Sequence, residues 1–319
     1  MQTILVTGGA GYIGSVAVRS LIEQDYKVIV IDNLSKGKPE LVNEKAILYP
    51  IDLADINKLN EVFENNTISA VIHIAAYKSV EESMQDGPKY SDNIKGTINL
   101  LNAMVKHNVC KLIYSSSAAV YGMPEKEVID EETPTNPINY YGFTKLECEK
   151  IIEWYANIHH IKFVFLRYFN VAGDVLGYVD PNPQNVLPII MEAVTGKREK
   201  FTIFGEDYNT RDGTCVRDYI HIQDLIDAHI RALSLEKNSI INLGTSMGTS
   251  VKELLKAAEE ATGKHIRKQT GKRRSGDPAC LVATNKRAEE LIGWHPRKSI
   301  KDIIESTYKA YLNEIRKRD

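Results

Sequence analysis

Apolar residues in this 319-residue chain gather in short, nearly unbroken runs. They fall at Thr3–Thr7, Lys27–Ile31, Ala46–Tyr49, Ala70–Ile74, Lys111–Ser115, Lys162–Arg167 and Ile240–Leu243. A strand that is apolar on both sides is covered on both faces, as in a parallel sheet packed between helices. The intervening segments carry a different period. In Thr97–Val109, the residues Ile98, Leu101, Met104 and Val105 lie on one stripe at three- and four-residue spacing. Strand and helix alternate, which predicts a doubly wound α/β fold with ligands at the carboxyl ends of the strands.

The rhythm breaks after about Tyr168 into a stretch rich in Gly, Pro and Asn, Gly173–Pro188, followed by mixed segments. The run Val216–Leu233 reads as a further helix that returns, with the strand Ile240–Leu243, to the first lobe. The expected division puts residues 1–169, with 216–244 added, in the sheet domain. Residues 170–215 and 245–319 form a smaller, mixed α/β C-terminal domain for substrate. No internal repeat and no low-complexity segment interrupts this plan.

Composition narrows the class. With 43% hydrophobic and 26% charged residues and a formal net charge of −2, the chain is neither disordered, fibrous nor a nucleic-acid coat. The basic stretch Lys264–Arg274 lacks interleaved aromatic residues, so no nucleic-acid partner is expected. Cys110, Cys148, Cys215 and Cys280 lie far apart with no Cys-x-x-Cys pair. That spacing suggests neither a disulfide framework nor a metal site, and fits the reduced thiols of the cytoplasm. The apolar run in MQTILVTGG is too short for a leader or a membrane span and reads as a strand.

A glycine loop then supplies chemistry. Gly8-Gly9-Ala10-Gly11-Tyr12-Ile13-Gly14 follows the first run directly, and a helical pattern (Val16, Ala17, Leu21, Ile22) comes next. Gly8, Gly11 and Gly14 make Gly-x-x-Gly-x-x-Gly, and Gly9, Gly11 and Gly14 make Gly-x-Gly-x-x-Gly. A turn without Cβ atoms lets a pyrophosphate reach the backbone N–H groups of a helix N-terminus. The second run is followed by Asp32, 18 residues past Gly14. A carboxylate there accepts from a ribose 2′-hydroxyl and repels a 2′-phosphate. NAD, not NADP, is the expected cofactor of a Rossmann-like domain. Asp52, after the third run, is either an acceptor for the adenine amino group or a surface carboxylate.

In Asn139–Lys145, reading NYYGFTK, Tyr141 and Lys145 are four apart and share a helical face, whereas Tyr140 points away. An ammonium near a phenol favours the phenolate, lowering a pKa that starts near ~10. The same lysine suits the nicotinamide ribose. Tyr-x-x-x-Lys alone is also what an ordinary helix carries by chance. Beside a nucleotide loop and the run Ser115-Ser116-Ser117, it becomes an alcohol-oxidising set, with a serine hydroxyl holding the reacting oxygen.

Gly8-x-x-Gly11-x-x-Gly14, SSSAAVYG (Ser115–Gly122) and YGFTK (Tyr141–Lys145) resemble the extended short-chain dehydrogenase/reductase family. AAYKSVEES (Ala75–Ser83), RYFN (Arg167–Asn170), FGEDYNTRDGTCVRDYIH (Phe204–His221) and RRSGDPA (Arg273–Ala279) narrow the resemblance to its UDP-glucose 4-epimerases, over nearly the whole chain. The resemblance implies inversion of C4 of a UDP-hexose through a transient 4-keto sugar. Other UDP-sugar 4-epimerases, acting on N-acetylglucosamine, xylose or glucuronate forms, remain open, as does a non-catalytic NAD sensor. The related 4,6-dehydratases carry Thr-Asp-Glu where this chain has Ser117-Ala118-Ala119, and the decarboxylases carry Glu at the place of Ala119. Two positions depart from the family: Ala119 replaces a threonine, and Tyr140 replaces a proline.

Residue by residue, the resemblance implies that Tyr141, Lys145 and Ser117 are catalytic. Around NAD it implies Gly8, Gly11, Tyr12, Ile13, Gly14, Asp32, Asn33, Asp52, Leu53, Ile74, Ala75, Ala76, Lys78, Asn93, Ser115 and Tyr168, together with Tyr141 and Lys145. Around the UDP-sugar substrate it implies Lys78, Ser117, Tyr141, Phe169, Asn170, Asn185, Leu187, Thr202, Phe204, Arg217, Arg274, Asp277 and Leu281. The arginines suit phosphate through their planar, two-pronged donors. Leu281 is expected beside the sugar C2 substituent, its modest size leaving room for an N-acetyl group. A cytoplasmic homodimer with no membrane partner completes the expectation.

Overall fold

The computed structural model describes residues 1–179, 183–274 and 276–318. Ser275, in the Arg273–Ala279 motif, and residues 180–182, in the Gly-rich stretch, lie outside the described residues. The elements begin β1 (Thr3–Thr7), α1 (Tyr12–Glu23), β2 (Lys27–Ile31), β3 (Ile47–Tyr49), α2 (Ile56–Glu64), β4 (Ala70–His73), α3 (Val80–Ser83) and α4 (Gly87–Lys106). There follow β5 (Lys111–Ser117), β6 (Val128–Ile129), α5 (Tyr140–His159), β7 (Lys162–Tyr168), β8 (Asn170–Ala172), α6 (Val186–Val194), β9 (Phe201–Phe204) and β10 (Val216–His221). The chain continues through α7 (Ile222–Ala232), β11 (Ser239–Leu243), β12 (Gly248–Ser250), α8 (Val251–Thr262), β13 (Lys268–Gly271), β14 (Cys280–Ala283), α9 (Lys286–Ile292) and α10 (Ile300–Arg318).

The chain divides into two compact units, the first made of residues 1–122, 134–167 and 226–241. Its seven-stranded sheet runs β11-β7-β5-β4-β1-β2-β3. The β5–β4, β4–β1, β1–β2 and β2–β3 pairings are all parallel. Strand order reverses beside β1, the position at which doubly wound sheets open a crevice for a nucleotide. The apolar runs are buried as their lack of alternation requires: Leu5, Ile29, Val71, Leu112 and Phe165 pack with Leu59, Leu100, Met104 and Ile152.

Two helices differ from their sequence expectation. α4 starts at Gly87, ten residues ahead of the apolar stripe at Thr97. The Asp86 side chain caps it through Lys89 N (3.2 Å), and Pro88 sits in its first turn. It ends at Lys106 rather than Val109, and Asn108 adopts a left-handed φ of 57°. The helix expected over Val216–Leu233 splits into the strand β10 and the helix α7. Because β10 hydrogen-bonds with β8, β12 and β14, residues 216–225 and 242–244 group with the second unit and 226–241 with the first.

The second unit comprises residues 123–133, 168–225 and 242–319. Its larger sheet runs β12-β10-β14-β6 with β8 beside β10, and β13 pairs with β9 separately. β10 is antiparallel to β12 but parallel to β14 and β8, so this sheet is mixed. Leu187, Ile190, Met191, Ile203, Tyr219, Leu254, Ile303 and Ile304 form its core.

Candidate active site

The glycine loop is shaped by the absence of side chains. Gly8 N donates to Ile31 O at 2.7 Å, and Gly8 holds a φ of 73°. A Cβ on Gly8 would lie 2.8 Å from Ala75 N, and one on Gly14 would lie 2.0 Å from Gly8 O. Gly11 stands at the N-cap of α1 with no side chain, leaving the first N–H groups of the helix for an anion. Tyr12 and Ile13 begin that helix.

The carboxylate expected beside this loop is in place. Asp32 is buried, its Oδ2 accepting from Ala10 N (3.0 Å) and its Oδ1 from Leu34 N (2.9 Å). Asn33 Nδ2 donates to Asp52 Oδ2 at 2.7 Å, so these two expected residues meet. Asp52 Oδ1 accepts from Ala54 N at 2.7 Å. Leu53 packs so closely on α4 that a Cβ at Gly96 would come within 3.1 Å of its own Cβ.

The loop after β4 is pinned from two sides. Thr7 Oγ1 accepts from Ile74 N and Ala75 N, each at 3.2 Å. Ala76 and Tyr77 follow. Asn93 Oδ1 accepts from Tyr77 N (2.9 Å) while its Nδ2 donates to Tyr77 O (3.1 Å) and Thr144 Oγ1 (3.3 Å). Asn93, expected to order a loop, thus does so from within α4. Lys78 Nζ lies 5.7 Å from the centre of the Tyr12 ring, which brings the AAYKS stretch to the start of α1. A Cβ-free turn, an uncapped helix end and a buried carboxylate together fit a dinucleotide.

The catalytic helix is anchored at its first turn. Asn139 Oδ1 accepts from Gly142 N at 2.8 Å, and Tyr141 N donates to Ser83 Oγ at 3.1 Å. α5 buries Tyr141, Lys145, Cys148, Glu149, Ile152 and Ala156, a face spaced by threes and fours. Tyr140 is turned elsewhere: its hydroxyl meets Ser91 Oγ at 2.7 Å and its ring stacks on Phe143.

The Ser117 hydroxyl is the polar side chain that bears on the Tyr141 phenol. Lys145 Nζ donates to the carbonyl of Ser115 at 2.7 Å and stands 4.9 Å from the centre of the Tyr114 ring. The electrostatics correct one expectation. The Tyr141 phenol is pushed up, not down: burial raises its pKa and the Ser117 hydroxyl opposes it. The ammonium of Lys145 is spent on the Ser115 carbonyl, and desolvation dominates the phenol. Burial also lowers Lys145 to about 8, against the raising effect of Cys148 and Glu149. His73 is neutral, its pKa lowered to about 3 by burial and then by the charge on Lys145. It sits between Thr7 Oγ1 (2.6 Å) and Thr97 Oγ1 (3.0 Å). The Ser115 hydroxyl faces His229 Nε2 at 3.0 Å, so it is the carbonyl of Ser115 that serves Lys145.

In the second unit, Arg217 forms an ion pair with Asp277 and donates to Val216 O at 2.8 Å. Leu281 is the cross-strand neighbour of Arg217. Asn170 is the cross-strand neighbour of Tyr219, and the Arg274 guanidinium lies 4.2 Å over the centre of the Phe204 ring. Thr202 Oγ1 accepts from Gln269 Nε2 at 2.9 Å. Asn185 stands at the N-cap of α6 without bonding its first turn. Leu187 and Phe169 are buried. Leu187 sends its side chain into the core and keeps only backbone for a ligand. Phe169 N donates to Leu243 O at 3.2 Å. Tyr168 ends β7.

Several residues that matter to this geometry carry no site expectation in the sequence. Thr7, His73 and Thr97 form a buried hydrogen-bonded row beneath the cofactor loop. Ser83 holds the backbone of Tyr141. Ser116, Glu149, Arg167 and Tyr121 form a buried polar cluster. Arg167 and Tyr121 fall inside conspicuous motifs, and Glu149 is one turn past Lys145. Those were the available signals. Among the described residues no group of three His, Cys, Asp or Glu is placed to hold a metal, and no helix is long and apolar enough to cross a membrane.

Comparison with known proteins agrees with this geometry. The model of the NAD dependent epimerase/dehydratase family matches residues 4–244. The UDP-glucose 4-epimerase of Streptococcus mutans is 46% identical over 319 residues, covering 96% of each chain. A UDP-glucose-4-epimerase of Stenotrophomonas maltophila, solved with NAD and formylated UDP-arabinopyranose, superposes with a TM-score of 0.96 at 35% identity, covering 99% of this chain and 100% of that one. The Bifidobacterium longum UDP-glucose 4-epimerase, solved with NAD+ and UDP, gives a TM-score of 0.91 at 35% identity over 98% and 99% of the two chains.

Proposed function

The chain belongs to the NAD-dependent epimerase/dehydratase family, and from that premise we propose that it interconverts UDP-glucose and UDP-galactose by inverting C4 of the hexose. The observation that carries this is the buried Tyr141 phenol beside the Ser117 hydroxyl, with Ala118 and Ala119 next in the chain. Two methyl groups supply neither acid nor base. A ketone formed there is reduced again rather than carried on to dehydration.

NAD, when bound, supplies a hydride acceptor for C4 and a positive charge that favours the phenolate. Tyr141 Oη takes the proton of the 4-hydroxyl and later returns it. Ser117 Oγ holds the same sugar oxygen by a hydrogen bond. Burial pushes the Tyr141 phenol up and the Ser117 hydroxyl opposes it. The glycine loop and the N-terminus of α1 hold the pyrophosphate, with Lys78 beside Tyr12. Asp32 takes the ribose hydroxyls, Asn33 and Asp52 the adenine, and Tyr168 the nicotinamide.

The second unit holds the uridine diphosphate through Arg217, Arg274, Asn170, Asn185, Thr202, Phe204 and Asp277, with Phe169 and Leu187 contributing backbone. Leu281 sets the room at C2, and its modest size admits the N-acetyl sugars. A second copy of the chain pairs along the outer face of α5, where Phe143, Trp154 and Ile158 are 41%, 68% and 62% exposed. Four free cysteines agree with work in the cytoplasm.

Incubation with UDP-galactose, UDP-N-acetylgalactosamine and UDP-xylose, with no NAD added and products read by chromatography, tests this. UDP-glucose should form from UDP-galactose. No turnover of any UDP-sugar, with no bound NADH appearing in the absorbance spectrum, would overturn the epimerase and favour a sensor.

A further inference from the structure

We propose that Glu149 and Arg167 are a positioning pair that holds the catalytic helix α5 and the end of β5 in one geometry; the inference rests on the epimerase reading above. Glu149 lies one helical turn beyond Lys145 on the buried face of α5 and is 2% exposed. Its Oε1 accepts from Arg167 Nε at 2.9 Å and its Oε2 from Arg167 Nη2 at 2.5 Å. The Ser116 hydroxyl donates to the same carboxylate. Arg167, on β7, also donates to the Tyr121 hydroxyl at 3.1 Å and lies 5.0 Å over the centre of its ring. Tyr121 closes the short 3₁₀ turn Ala118–Tyr121 that follows Ser117.

One carboxylate therefore joins α5 to β5 and β7, and Arg167 extends the connection to the turn after Ser117. Ser116 sits between the two residues of β5 that serve the chemistry. The Ser115 carbonyl receives Lys145, and the Ser117 hydroxyl meets Tyr141. A slide of the helix along the strand would disturb the Lys145 bond and the approach of Tyr141 to Ser117 together. Stability alone does not call for such a pair, because desolvating two charges costs about as much as their attraction returns, and apolar packing serves equally well. What apolar packing lacks is angle. A guanidinium fork on a carboxylate fixes distance and orientation together.

The test uses the cofactor-loaded enzyme and the double variant Glu149→Met/Arg167→Met, which leaves no unpaired charge. Its Tm should stay near wild type and its NAD content and KM should be unchanged, while kcat falls by about 30- to 100-fold, as expected for a misplacement of about an ångström. Glu149→Gln alone should lower both Tm and kcat. A double variant with wild-type Tm and kcat within about twofold of wild type would show that the pair only packs. If the double variant does not fold, Ser116→Ala decides, since it keeps the ion pair. A severalfold loss of kcat at unchanged Tm supports the proposal, and unchanged kcat overturns it. Should the wild type turn over no UDP-sugar, the epimerase reading has failed. The Tyr141 phenol, titrated by ultraviolet difference against Tyr141→Phe, then reads the same geometry: a shifted titration in the double variant supports the pair, and an unshifted one removes it.

Discussion

Replacing Lys145 by Met is expected to make the cofactor-free protein more stable and inactive. Lys145 is 3% exposed, and its ammonium donates to the Ser115 carbonyl at 2.7 Å. Burial lowers its pKa from 10.5 to about 8. At about 1.4 kcal/mol per unit, holding that charge costs the fold about 3 kcal/mol. The unfolded chain keeps its proton up to about 10.5 and the folded chain releases it near 8, so wild-type stability rises with pH across that window. The penalty is fully present below about 8 and gone above about 10.5. Met removes it but leaves the Ser115 carbonyl without its donor, a loss of about 1–2 kcal/mol. The net gain at pH 7 is then about 1–2 kcal/mol, and it should vanish or reverse by pH 10.5. Urea unfolding of both proteins at pH 7 and pH 10.5 measures this, alongside turnover of UDP-galactose, which should fall at least about a hundredfold. A variant less stable than wild type by the same amount at both pH values would refute the account of Lys145 as a charge kept at the expense of the fold.

Three further substitutions probe the other parts of the site. Tyr141→Phe should lower kcat by about 10²- to 10⁴-fold, with NAD retained on purification; undiminished turnover would remove Tyr141 from proton transfer. Gly14→Ala puts a Cβ 2.0 Å from the Gly8 carbonyl oxygen, and because that contact is backbone on both sides the protein should be purified without NAD. A Gly14→Ala protein carrying a full complement of NAD would contradict the close-approach argument. Asp32→Ala removes the carboxylate beside the loop and should shift the NAD-to-NADP affinity ratio by about tenfold or more towards NADP, read by fluorescence titration of the cofactor-free protein. An unchanged ratio would mean that another group reads the ribose.

Much of the first unit was legible because its signals are local. β1 and β2 run as their apolar stretches indicated, and the glycine loop falls between β1 and α1. Helical spacing alone separated Tyr141, which is buried against Ser117, from Tyr140, which bonds Ser91. The start of α4 is hidden from the sequence pattern because an apolar stripe reports only the turns that face a core, whereas the helix begins with the Asp86 cap and Pro88. β10 reads as helix in the sequence because Val216–His221 runs straight into α7 with no turn residue to mark the change. Its strand character comes from hydrogen bonds to β8, β12 and β14, partners from three other regions of the chain.

Residue pattern alone dictates the alternation of strands and helices in the first unit, the Cβ-free loop and its acid, and the pairing of Tyr141 with a lysine one turn away. These depend on residue types at short spacings, and short spacings are conserved from chain to fold by the geometry of the backbone. What that lysine touches is set by the packing of distant segments. It meets the Ser115 carbonyl thirty residues away, the phenol is held protonated by burial, and Glu149 is matched to Arg167 across a strand boundary. Desolvation and charge pairing depend on which distant segments close over a group, and no local pattern of residues encodes that.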